Sequence, residues 1–185
     1  MIRGLLLFSA ILLGGCASLS SAPVLTPRPA QPELVSFAMN GRVSISHQGK
    51  KQSAGLRWIH LALSDEILLL TPLGQTAARI YSDAETATID TDGKHFQADD
   101  VESLMQQELG WHLPLSSLHH WVLGMPADTE PAQIGRSENA QISLINQDGW
   151  EVRYLRYEET LPARMQLNHE DLQVQLLIDE WDWNP

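Results

Sequence analysis

Cysteine is nearly absent from this chain: Cys16 is the only one in 185 residues. A single thiol has no partner within the chain, so no internal disulfide framework exists and stability must come from an ordinary core. Positive charge is also scarce. Lys and Arg number 12 against 23 Asp and Glu, a net charge of −11. Such a surface repels phosphates, which excludes nucleic-acid binding and leaves no electrostatic attraction to an anionic lipid surface. It suits a basic protein partner, and it equally suits plain solubility. Long apolar runs are missing too. The one candidate, Gly4 to Leu13, is about ten residues, where a membrane span needs roughly 20.

Catalytic signatures are likewise missing. There is no Gly-x-Ser-x-Gly elbow, no His-Glu-x-x-His and no phosphate-cradling glycine loop, so no catalytic residue, metal ligand or cofactor is expected. His112, His119 and His120 fall close together. On a helix the adjacent pair points about 100° apart, which is unsuited to one metal, and the three read as solvent-facing or helix-end residues. The acidic pairs Asp99-Asp100, Glu158-Glu159 and Asp179-Glu180 read as solvated turn residues.

What is present begins at the N-terminus. Arg3 precedes the apolar stretch, and Leu13-Gly14-Gly15-Cys16 closes it. This ending resembles the bacterial lipobox. Residues 1–15 are expected to be a lipoprotein signal peptide, cut before Cys16, whose thiol is then diacylglycerylated and whose freed amine is acylated. Removing the leader takes away Arg3, so the mature chain is one unit more acidic. Ala17, rather than Asp, after the cysteine points to the outer membrane. Residues 16–32 then form the lipidated cysteine and a tether rich in Ser and Pro, with Pro23, Pro27, Pro29 and Pro32. The folded domain is expected over residues 33–185.

Within it, strand patterns dominate. Phe37, Met39, Val43 and Ile45 alternate with polar or small residues. Ser53 to Leu63 reads as a second strand, with Leu56 and Trp58 on one face and Ile59, Leu61 and Leu63 on the other. Ile67 to Thr71 and Gln75 to Tyr81 follow. Thr86 to Thr91 and Lys94 to Ala98 form a hairpin about Asp92-Gly93. The period then changes. Asp99 and Glu102 have capping-box spacing, Val101, Leu104, Met105 and Leu109 recur at helical spacing, and Gly110 suits the C-terminal cap. Pro114 opens a second helix with the stripe Leu115, Leu118 and Val122, which Gly124 and Pro126 end. Four further strands are expected around Ile142–Leu144, Trp150–Tyr154, Ala163–Leu167 and Leu172–Ile178. The expected fold is mainly β: an open, strongly curved antiparallel β-barrel that the helices cover or plug.

Pro72-Leu73-Gly74 is unusual, because turn tips are normally polar. An exposed Leu73 forgoes about 1.5–3 kcal/mol of burial. Two readings stand: a rigid tip that enters lipid, or a leucine that folds back onto the core.

Several segments carry a family resemblance: Phe37 to Arg42, Leu68 to Gly74, Phe96 to Asp100, Asp179 to Trp181 and, most specifically, Pro114-Leu115-x-x-Leu118-x-x-Trp121-x-x-Gly124-x-Pro126. Together they resemble the LolB family of outer-membrane lipoprotein receptors, over about Phe37 to Trp181. The resemblance implies an open β-barrel with an apolar cavity. It implies acylated lipoprotein cargo received from a periplasmic LolA-like carrier and placed in the inner leaflet of the outer membrane. The protein itself would be a monomer anchored through Cys16 on the periplasmic face. Leu73 matches the family's functional loop leucine. Candidate cavity-lining residues are Trp58, Leu69, Ile89, Met105, Trp121, Val122 and Met165, each of which also suits a packed core. The family's helix before the first strand has no clear counterpart in the proline-rich residues here. The competing readings are a structural or assembly lipoprotein that binds a protein partner, and a lipid hydrolase.

Overall fold

A computed structural model describes residues 36–185. The leader at 1–15, Cys16 with the tether at 16–32, the domain start near Glu33 and the question of an N-terminal helix lie outside the described residues.

Short turns with positive φ set most of the architecture. β1 (Phe37–His47) and β2 (Lys50–Leu61) meet at Gln48-Gly49, both with φ above zero. That is the twist a two-residue hairpin needs. β3 (Ser64–Leu70) and β4 (Thr76–Asp83) follow, then β5 (Ala87–Thr91) and β6 (Lys94–Ala98) about Asp92-Gly93, as the sequence predicts. After two helices come β7 (Gln133–Arg136), β8 (Ile142–Gln147), β9 (Trp150–Glu158), β10 (Leu161–His169) and β11 (Leu172–Asp182).

All eleven strands form one antiparallel sheet in the order β6-β5-β4-β3-β2-β1-β11-β10-β9-β8-β7. The sheet is open, with β6 and β7 as its edges. β1 and β11 pair at its centre, with a register shift at Asn40/Gly41. A Cβ on Gly41 would lie 2.1 Å from the Leu177 carbonyl oxygen, so only glycine fits this approach.

The chain runs from one edge strand to the other through α1 (Val101–Leu109) and α2 (Leu115–Val122). Both helices pack into the same core cluster as the inner faces of the strands. Gly110 caps α1 in the left-handed conformation, as expected. The N-cap, however, is Asp100 and not Asp99: its carboxylate accepts from the Ser103 amide at 2.7 Å.

Three more expectations are corrected. Five strands follow the helices, not four, because β7 is too short and polar to show a period. Leu63 leaves the strand pattern and sits at the β2–β3 turn, 78% exposed. In β8 the core face is carried by Ile145 and Gln147 rather than by Ile142 and Leu144. A glutamine at a core position inverts the apparent alternation.

Gln147 earns its buried place by bonding. Its Oε1 accepts from Trp121 Nε1 (3.1 Å) and the Ala127 amide (2.9 Å). Its Nε2 donates to the Ala127 and Glu130 carbonyls. The Tyr154 hydroxyl donates to the Trp121 carbonyl at 2.8 Å. Burial pushes that phenol well above its ordinary range. These bonds fix α2 and the loop after it against β8 and β9.

Candidate functional site

The inner faces of β1–β4, β10 and β11 enclose an apolar cavity of about 60 Å³ with the helices. Its wall is formed only by Met, Val, Ile, Leu and Trp side chains, among them Met39, Trp58, Leu69, Met105, Trp111 and Leu118. Such a space admits roughly four or five water-sized spheres, yet it offers water no polar partner.

Beside it lies a cleft of about 280 Å³, lined by Val43, Ile45, Leu69, Ile80, Ile89 and Trp111 with Gln52, Ser53 and Thr91 at its rim. Cavity and cleft share five of these apolar residues. Trp111, in the turn between α1 and α2, borders both. The cleft opens at the sheet end that carries the β1–β2, β3–β4 and β5–β6 turns.

The β3–β4 loop projects from that same end. The Gly74 amide donates to the Thr71 carbonyl at 2.8 Å, and the Thr71 amide to the Gln75 carbonyl at 2.8 Å. The Thr71 hydroxyl accepts from the Gln75 amide. Pro72 occupies the first central turn position, and Gly74 closes the turn at φ 78°. Leu73 at the tip is 87% exposed. It does not fold back onto the core.

The sequence-derived lining residues divide. Trp58, Leu69 and Met105 line the cavity, and Ile89 lines the cleft. Trp121, Val122 and Met165 are fully buried and border neither space. They belong to the packed core together with Ile145 and Val152, and Trp121 is bonded to Gln147.

A polar cluster at the opposite sheet end escaped the sequence reading. Asp65 on β3 receives Trp58 Nε1–H at 2.7 Å. His60 Nδ1 on β2 lies 3.0 Å from one Asp65 oxygen. His119 Nε2 on α2 lies 2.9 Å from both. The two imidazoles lie with centroids 4.0 Å apart and their planes tilted by 32°. Burial alone would raise the Asp65 pKa, but the bonds from His119, His60 and Trp58 and the charge of His119 outweigh it. The carboxyl is held at about 2. His119 is therefore not solvent-facing, since its side chain is 12% exposed. Its ligand atom and those of His60 and Asp65 lie within 4.8 Å of one another, close enough to gather a metal ion. Each ring instead sets one nitrogen on the Asp65 carboxylate, which suits two donors on one acceptor. Neither His60 nor Asp65 carries a sequence signal of its own. Only the hairpin register places both beneath α2.

The Outer membrane lipoprotein LolB family model matches residues 35–181. The chain belongs to the LolB family. It is 37% identical to the outer-membrane lipoprotein LolB of Chromobacterium violaceum over 98% of this chain and 99% of that one. To the LolB of Pseudomonas paraeruginosa it is 33% identical, covering 92% and 90%. A solved LolA superfamily protein from Nitrosomonas europaea shares 9% identity at a TM-score of 0.49, covering 83% of this chain and 88% of that one. LolB membership agrees with the mostly-β open sheet described above.

Proposed function

We propose that this protein is an outer-membrane lipoprotein that receives acylated lipoproteins from a LolA-like periplasmic carrier and places them in the inner leaflet of the outer membrane. It acts as a monomer, anchored on the periplasmic face by lipid on Cys16, and carries out no covalent chemistry. The observation that carries this reading is the placement, at one end of the sheet, of a largely apolar cleft that adjoins an all-apolar cavity, beside a rigid, exposed Leu73.

The physical logic is direct. Each buried CH₂ is worth about 0.8 kcal/mol, so a multiply acylated chain cannot cross water unshielded. The resting cavity is too small for a long acyl chain. Reception therefore displaces Trp111 and the turn around it, joining cavity and cleft into one channel. α2 stays fixed meanwhile through Trp121, Gln147 and the His119–Asp65 bond. Leu73 enters the bilayer at the mouth, so the departing chains pass from protein to hydrocarbon without meeting water. With no energy source in the chain, transfer runs downhill from carrier to this protein to membrane.

The test is transfer of a labelled lipoprotein from the carrier to Leu73→Glu and wild-type proteins, then to liposomes. A glutamate at the tip makes lipid entry costly while the fold and cavity are untouched. Expected is normal reception with delivery reduced at least tenfold. Equal delivery by the two proteins rules out the insertion role.

A further inference from the structure

On the outer face of the sheet, at the foot of the Leu73 loop, lies a cleft of about 670 Å³ bordered by Leu70, Thr71 and Pro72. Two arginines line it, Arg42 on β1 and Arg164 on β10. Each is paired in register with Leu177 of β11, from opposite sides. Residues directly paired across strands project from the same face, so the arginines flank Leu177 about two strand spacings apart, roughly 10 Å.

This placement is notable on a chain of net charge −11. Arg164 has no ion pair among the described residues. Arg42 Nη2 touches Asp179 Oδ1 at 3.2 Å, but both side chains are largely exposed, and such a pair holds an arginine weakly. Asp179 is the one carboxylate bonded to either arginine among the described residues. Depth agrees as well. From Leu70 to Leu73 the chain spans at most about 10 Å, and the polar zone on each side of a bilayer is roughly 5–8 Å thick. With Leu73 in hydrocarbon, the cleft lies at headgroup level.

We propose that this cleft binds the phosphate of a membrane phospholipid. The guanidinium groups of Arg42 and Arg164 clasp its oxygens, while Leu70, Pro72 and Leu177 meet the glycerol and upper acyl chain. The site rests on the reading that the Leu73 loop enters the bilayer, and it would set the depth and orientation of that entry.

The experiment measures partition of the mature chain carrying Cys16→Ala, so that the acyl anchor does not dominate. It compares vesicles of phosphatidylcholine with vesicles of an uncharged, phosphate-free glycolipid. Phosphatidylcholine has no net charge, so a preference for it reports on the phosphate itself. The expected result is at least tenfold tighter binding to phosphatidylcholine. Arg42→Gln and Arg164→Gln each remove roughly fivefold to tenfold of that preference and leave glycolipid binding unchanged. Both positions are on the outer face, away from the core, so the fold is retained. Equal binding of the wild type to both vesicles overturns the site, as does a double variant that keeps the preference. Abolition of the preference by millimolar inorganic phosphate would mark a free-anion site and overturn the headgroup assignment. Leu73→Glu separates the two readings: it lowers binding to both vesicle types if the loop inserts. If its binding is unchanged, only the insertion reading fails.

Discussion

Leu73 stays out of the core because its neighbours leave it no route in. Pro72 fixes one side of the turn and Gly74 the other, and three backbone and side-chain bonds close the loop. Asp65 is the opposite case, a charge that belongs at the surface yet is held inside by three donors. Its folded pKa of about 2 lies below the ordinary 3.8. It therefore contributes stability that is full above the unfolded value and is lost as pH falls through about 2. At 12% exposure little solvent screening applies. Asp65→Asn is expected to cost about 2–3 kcal/mol at pH 7. In urea unfolding, the gap from wild type should narrow between pH 4 and 2. A gap that stays constant over that range would show that the carboxylate charge is not what the cluster uses. Gln147 makes the same point without charge: a polar side chain in the core is tolerated because all its bonds are made, and among the described residues no buried side-chain polar atom lacks a partner.

At the scale of elements, the strands and helices were legible wherever one face is apolar. β1, β9 and β11 follow their alternation, and α2 presents the expected Leu115, Leu118 and Val122. Legibility failed where a polar residue faces inward or a strand is short, as in β8 and β7. The cavity lining was half legible for a related reason. A residue beside a void and a residue in a packed layer carry the same side chains, so Met105 and Met165 look alike until the helices are placed. The turn from Gly110 to Leu113 had no periodic signal, yet Trp111 there borders both cavity and cleft. Trp111→Ala trims that shared wall. A fluorescent long-chain fatty acid should then enter at least fivefold faster in stopped-flow mixing. An unchanged rate would mean that access is limited elsewhere, and the α1–α2 turn would lose its role as the gate.

For the molecule as a whole, the lipobox reading concerns residues that the described fold does not include, so its test must be made on the chain itself. The mature chain with Cys16→Ala, exported by a non-lipoprotein leader, is expected in the soluble periplasmic fraction. It should still take cargo from the carrier in solution. Loss of all reception would place cargo binding at the anchor rather than the domain. Family membership was legible because a long, irregular pattern through α2 is rare. The His60–Asp65–His119 cluster was not, because His119 lies 54 positions from Asp65 and His60 meets Asp65 only by hairpin register.

β1 and β11 lie at opposite ends of the described chain but side by side in the middle of the sheet. Ala38 faces Asp182, and Val43 faces Leu176. No intermediate length of this protein can complete its sheet. Until β11 is made, β1 carries Phe37, Met39 and Val43 with one flank unpaired. Closing so long a loop is slow. The final strand is thus a timing element: it decides when the nascent domain stops exposing a sticky edge to its surroundings.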